Sequence, residues 1–242
     1  MQMQPPMLKV VYALIPLVLA AIYYFGWRFL LVLALVNAVG ILTEYLMART
    51  YSMKVTSSVL VTNFLFALSL PPTIPLWIAV VGIVFGVVFG KMVFGGFGKN
   101  VFNPAISGRA FIYISFGVPL TGRFVDPVAG SALRGFAAWT PSLDTVSSVT
   151  PLVQQAQGTE FALSNLFLGN MTGSFGETSA LLIILGGAYI VWKKSANWHF
   201  IAASLVSFLV LYAALFYSGV QGAINPVYAL FSGSFLFAAV FM

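Results

Sequence analysis

The sequence predicts an all-α protein that crosses a membrane many times, and three observations carry that expectation. Hydrophobic residues make up 60% of the 242 residues and charged residues only 7%, against about 25% charged in soluble domains. The apolar residues fall in long continuous runs rather than in alternation, which selects helices over a transmembrane barrel. Lipid offers the backbone no hydrogen bonds, so each run must satisfy its own polar groups, as a helix does.

Apolar spans are read in order at 10–26, 29–47, 57–70, 76–90, 104–120, 178–192, 198–217 and 227–242. The first run passes straight into the second with no small-residue cleavage pattern between them, so it reads as a span rather than a signal. Gly26-Trp27-Arg28 separates them, and the Arg49 to Lys54 stretch ends the second. The third is short and stops at Pro71-Pro72-Thr73-Ile74-Pro75; consecutive prolines end a helix and remove two donors, which predicts a broken half-helix facing protein rather than lipid. Lys91 to Asn100 separates the fourth span from the fifth. The long 121–177 segment precedes the sixth, Lys193 to Asn197 the seventh, and Ser218 to Pro226 the last.

Basic residues in short loops set orientation. With Lys9 in the cytoplasm, Arg49, Lys54, Lys91, Lys99, Lys193 and Lys194 fall on the same side, while Arg28, Arg123 and Arg134 fall outside. This places 121–177 on the outer face. The net charge of +6 comes from single residues at helix ends rather than a cluster, which argues against a nucleic-acid partner. With no cysteine, the chain offers no disulfide, thiolate metal site or iron–sulfur ligand.

Leu60-Val-Thr-Asn-Phe-Leu-Phe-Ala-Leu-Ser-Leu-Pro-Pro72 is echoed by Phe231-Ser-Gly-Ser-Phe-Leu-Phe-Ala-Ala-Val-Phe-Met242. Each copy is the third span after a longer pair. This reads as an inverted repeat of five-helix halves with broken half-helices, within one membrane domain, 1–242. The first half is 1–120, the outer segment 121–177, and the start of a second half 178–242. The run reaches Met242 while still apolar, so about two further spans are expected beyond it.

Few residues could carry chemistry. In Lys91 to Arg109, three glycines within four residues permit close backbone approach, and Asn103-Pro104 has the form of a helix start with an asparagine cap. Two readings stand: a plain glycine-rich connection, or a loop folded against a flat or anionic ligand at the membrane edge. Arg109 favours the second, because a guanidinium within an apolar span is costly unless paired. Asn37, Glu44 and Asn63 also intrude into spans. Glu44 lies near the cytoplasmic end of its helix and reads as snorkelling to the interface, and His199 as an ordinary interfacial residue. Asp144 to Leu152 is a polar hydroxyl cluster, Asp-Thr-Val-Ser-Ser-Val-Thr-Pro-Leu. From its residues alone it is an exposed turn with hydroxyl caps, and Thr150 is also an alcohol that could anchor a phosphorylated cofactor.

Taken in order, Leu68 to Pro75, Gly90 to Asn100, Phe102-Asn103-Pro104-Ala105 with Arg109-Ala110-Phe111, and Asp144 to Leu152 resemble the NqrB/RnfD family of membrane electron-transport subunits. The resemblance covers essentially the whole chain; the short amino terminus and Tyr24-Phe25-Gly26-Trp27 are more similar to RnfD-type members. It implies a urea-transporter-like fold and FMN joined through its phosphate to Thr150 by a flavin transferase, with Asp144, Ser147 and Ser148 beside it. It also implies non-covalent riboflavin, expected nearer Lys91, Asn100, Asn103 and Arg109. The family motif runs Ser/Thr-Gly-Ala-Thr, and here it is Ser147-Ser148-Val149-Thr150. The acceptor is kept and the small Gly-Ala pair has become Ser-Val.

The implied function is that of a flavoprotein subunit of an ion-translocating complex in the bacterial inner membrane. The Rnf type would couple ferredoxin:NAD oxidoreduction to Na⁺ or H⁺ movement. Its expected partners are a second FMN-bearing subunit, iron–sulfur subunits and small membrane subunits. No metal ligands and no catalytic residue acting alone are expected. The alternatives are an NqrB-type component of an NADH:quinone reductase, or a passive urea-transporter-like channel for a small polar solute.

Overall fold

The computed structural model describes residues 2–121, 124–128, 134–140, 150–152, 162–177, 179–220, 222–232 and 234–242. Among the described residues it is helical, with one isolated bridge between Gln2 and Thr56 and no extended strand. The helices are α1 (Pro5–Phe25), α2 (Arg28–Thr50), α3 (Ser58–Leu68), α4 (Leu76–Val87), α5 (Pro104–Ser115), α6 (Gly117–Thr121), α7 (Leu163–Leu168), α8 (Ala180–Trp192), α9 (Trp198–Tyr217), α10 (Pro226–Ser232) and α11 (Phe235–Phe241). Helix α4 runs on into one π-helical turn, Val88–Met92. Among the described residues, α1, α2 and α9 are long and apolar enough to cross a bilayer.

Two expected spans are interrupted. The 104–120 run breaks at Phe116, whose φ of −134° and ψ of 48° leave the helix. The 227–242 run holds two helices, α10 ending at Ser232 and α11 beginning at Phe235. Continuous hydrophobicity reports solvent, not backbone continuity, so neither break is visible in composition. The broken third span is borne out: α3 stops at Leu68, immediately before Ser69-Leu70-Pro71-Pro72.

Helices α1, α2, α3, α4 and α5 pack on one another around a core that includes Phe25, Phe29, Phe66, Ile78, Ile83 and Ile112, each fully or almost fully buried. A row of small residues brings α4 and α5 together. Gly82, Gly86 and Gly90 recur every fourth residue and face Pro104, Ser107, Gly108 and Ile112. In lipid, such rows allow the close backbone contact that drives helix association. Helix α9 is different: it has no buried residue, and its contact with α11 includes Phe208 stacked on Phe235 at 4.1 Å.

The basic residues separate by end. Where α1 begins, Lys9 donates to the Lys193 carbonyl at 3.2 Å, Gln2 donates to the Val55 carbonyl at 2.7 Å, and the Gly96 backbone lies against Met53. Lys9, Arg49, Lys54, Lys91 and Lys193 thus gather at one end. At the other, the Trp27 and Arg28 amides donate to the Ala138 and Trp139 carbonyls, and the Arg134 guanidinium lies 5.3 Å from the centre of the Tyr23 ring.

A Cβ built on Gly108 would lie 2.5 Å from the Gly82 carbonyl oxygen, a backbone atom with little freedom to yield. We expect Gly108→Leu to destabilise the full-length protein by about 1–3 kcal/mol, read as a lower unfolding temperature in detergent. Gly117→Ala meets nothing within 4 Å and should leave that temperature unchanged.

Candidate functional site

Helix α3 organises the site because it is too short. Its 11 residues extend about 16 Å, against about 30 Å of hydrocarbon. Its last carbonyls and first amides therefore have to find partners inside the protein, since lipid provides none.

At the carboxyl end the partners come from three places. The Arg28 guanidinium donates to the carbonyls of Pro72 and Ile74, the latter at 2.6 Å. The amides of Phe175 and Gly176 donate to the carbonyls of Leu70 (3.1 Å) and Leu68 (2.7 Å). The Ser69 hydroxyl donates to the Phe66 carbonyl at 2.7 Å. Cations and amides at a helix carboxyl terminus complement both its dipole and its unpaired carbonyls. Gly176 is required here, because a Cβ would stand 2.8 Å from Leu68 Cβ.

The Ser174–Glu177 segment is itself held by Arg109. Nη1 lies 2.8 Å from Glu177 Oε1, and Nη2 donates to Ser174 Oγ at 3.4 Å. Phe175 is buried between Phe25 and Phe29, with ring centres 5.8 and 4.6 Å away. Arg109, expected to need a partner, therefore has one. Glu177 was not singled out by its local sequence. The signal available was scarcity, because the chain has only five carboxylates from which a membrane arginine could draw.

At the amino end of α3 lies the second buried pair. Lys91 Nζ is 2.6 Å from Glu44 Oε2 and 2.8 Å from Ser58 Oγ. Glu44 Oε1 accepts from the Thr56 amide at 3.1 Å and from the Thr56 hydroxyl at 3.3 Å. Both charged side chains are at most 3% exposed. Glu44 does not snorkel to the interface as its sequence position suggests: the residues at the start of α3 and the π-helical turn after α4 close over it. The carboxylate faces the positive end of α3 and the ammonium sits in the π-helical turn that continues α4, which suits both helix dipoles. Beside this pair is a cleft of about 320 Å³ whose walls include Gln4, Thr56, Gly95, Gly96 and Phe97.

The other expected site residues are dispersed. Asn103 caps α5, accepting from the amides of Ala105 (2.9 Å) and Ile106 (3.4 Å), and its Nδ2 donates to the Met242 carbonyl at 2.8 Å. Asn100 donates to the nearby Phe102 carbonyl at 2.9 Å. Gly95, Gly96 and Gly98 all take positive φ, the close backbone folding read from the glycine run. Thr150 is half-buried and the Pro151 that follows is buried. Asp144, Ser147 and Ser148 lie outside the described residues, as does Arg123.

A family model described as the NQR2, RnfD, RnfE family matches residues 1–242. The chain belongs to this family. The resemblance read from the ordered motifs is thus borne out. Relatives include the B-type subunit of the Na(+)-translocating NADH-quinone reductase of Yersinia pestis, 35% identical over 221 residues that cover 88% of this chain and 52% of the relative. The protein of the same name from Azotobacter vinelandii is 38% identical with the same coverage. That from Pseudomonas aeruginosa (strain LESB58) is 37% identical over 211 residues, 84% of this chain and 50% of the relative. The chain spans about half the length of the curated relatives it matches.

Removing one member of a buried pair leaves the other charge uncompensated, whereas replacing both with apolar groups is often tolerated. Lys91→Met alone should destabilise by about 3–5 kcal/mol, and the Glu44→Leu/Lys91→Met double variant should recover most of that loss; a double-mutant cycle on unfolding free energy measures it. Glu177→Gln weakens the hold on the segment that caps α3. We expect faster hydrogen exchange at the Phe175 and Gly176 amides, with the exchange of α1 unchanged.

Proposed function

We propose that this chain is the membrane flavoprotein subunit of an ion-translocating electron-transport complex. The observation that carries the reading is the family match, which extends over residues 1–242. The named relatives are subunits of a Na⁺-translocating NADH–quinone reductase. They favour an Nqr-type role with NADH as donor and quinone as acceptor. The Tyr24-Phe25-Gly26-Trp27 stretch favours the Rnf type, with ferredoxin and NAD. In either type the coupled cation is Na⁺ or H⁺. The complex resides in the bacterial inner membrane, with the amino terminus cytoplasmic and Thr150 on the outer face.

FMN is the cofactor this reading requires, and Thr150 would hold it. The fit rests on the residue itself: its side chain is half-buried, and no described residue hydrogen-bonds its hydroxyl. Among the described residues, then, nothing competes for the oxygen that a flavin transferase would esterify. Bound there, the isoalloxazine would supply one-electron chemistry that side chains cannot. The ester would keep the group on the chain through many turnovers, and the buried Pro151 would fix the backbone at the attachment point. Asp144, Ser147 and Ser148 would flank the phosphate.

Riboflavin would sit at the other end. The cleft of about 320 Å³ beside the Glu44–Lys91 pair lies within the size range of small-molecule sites, about 300–1,000 Å³. Lys91 would act there from beneath, through its ion pair, rather than by direct contact. Arg109, Asn100 and Asn103 would shape the frame around the cofactors; each already has a protein partner. The remaining partners would be a second FMN-bearing subunit, iron–sulfur subunits and small membrane subunits.

Full-length protein made together with its flavin transferase should carry flavin fluorescence through a denaturing gel. Thr150→Val should abolish that fluorescence while leaving the protein inserted in the membrane. An intact mass without an FMN adduct on the unaltered protein, together with solute passage in liposomes by the purified protein alone, would instead support a conduit.

A further inference from the structure

At the end of the bundle where α1 begins, Arg49 and Lys54 share a cleft with no carboxylate among its described walls. Arg49, in the last turn of α2, and Lys54, in the loop that follows, are both exposed. Neither makes an ion pair or side-chain hydrogen bond with a described residue. They line one open cleft of about 650 Å³, with Gln2, Tyr45 and Met53 among its other walls. The carboxylate of the adjoining cleft, Glu44, is already committed to Lys91 at 2.6 Å, so the wider cleft keeps its positive charge.

A second feature runs into the same cleft. Leu31, Ala34, Ala38, Leu42, Tyr45 and Leu46 are exposed, and their spacing of three and four residues puts them on one face of α2. Arg49 continues that face. The face is apolar along its length and turns cationic at the helix end. A free anion would use the two charges and make no use of the apolar face that runs into them. A soluble nucleotide would meet the same mismatch. A molecule with an anionic head and hydrocarbon tails satisfies both.

We propose that this cleft is a headgroup site for an anionic glycerophospholipid. Its phosphodiester would lie between the Arg49 guanidinium and the Lys54 ammonium, and its acyl chains would lie on Leu42, Tyr45 and Leu46. Basic residues at the membrane surface attract anionic lipids by charge, and arginine adds a planar fork that matches phosphate oxygens. Tyr45 is exposed one turn before Arg49, and aromatic rings beside a basic helix end are typical of the boundary between headgroups and hydrocarbon. This inference depends on the chain spanning a membrane and is independent of the flavin at Thr150.

The test uses the delipidated full-length complex in detergent, titrated with palmitoyl-oleoyl-phosphatidylglycerol or the matching phosphatidylcholine and read by intact mass spectrometry. Phosphatidylglycerol should bind in preference to phosphatidylcholine. Arg49→Gln/Lys54→Gln should lower its affinity by about fivefold for each cation removed. Arg49→Lys/Lys54→Arg should keep most of the binding, which separates loss of charge from loss of fold, and Lys194→Gln should keep all of it as a charge control. Equal binding of the two lipids, full retention by the double Gln variant, or displacement of bound lipid by millimolar sodium phosphate would overturn the proposal. So would a photocrosslinker at Tyr51 that captures a partner polypeptide in native membranes instead of lipid.

Discussion

A helix that ends inside the membrane must have its ends satisfied by protein. That constraint shapes this structure around α3. Eleven residues reach only part of the way across, and the two exposed termini would be prohibitively costly in hydrocarbon. At the carboxyl end the chain answers with Arg28, Ser69 and the amides of Phe175 and Gly176. At the amino end, Glu44 accepts from the Thr56 amide and hydroxyl, and Gln2 and Gln4 fold back onto Val55 and Ser57. The capping groups come from α2, from the segment before α8 and from the amino terminus, so the short helix ties distant parts of the sequence together.

Each end of α3 is then secured by a charge pair. Arg109–Glu177 holds the segment that caps the carboxyl end, and Glu44–Lys91 braces the amino end. These pairs differ in surroundings: Arg109 retains partial access at 27% exposure, whereas Lys91 and Glu44 are sealed. A sealed pair adds little net stability, because desolvation offsets much of its attraction. Together the two pairs hold a broken helix in place from both ends.

Much of this was legible from particular residues. The double proline after Leu70 announced the early stop of α3, because proline cannot continue the hydrogen-bond ladder. Asn103-Pro104 announced the start of α5, and the side chain caps it as read. The one-sided placement of Lys9, Arg49, Lys54, Lys91 and Lys193 agrees with their gathering at one end of the bundle. Glu44 was misread, because its depth depends on how α3 and α4 close over it rather than on its distance from the end of α2. Glu177 and Ser174 carried no local pattern, and their role exists only because α5 and a segment 65 or more residues away meet.

Composition and apolar run length alone determined that this chain lives in lipid, that it is helical, and roughly where most of its helices lie. Those properties follow from local solvation and backbone chemistry, which each segment carries with it. The ordered motifs determined the family. Only the tertiary structure decided which charges pair, which small residues bring α4 against α5, and where apparently continuous runs break. Those outcomes depend on desolvation and steric contact between segments far apart in sequence, and neither exists until the helices pack.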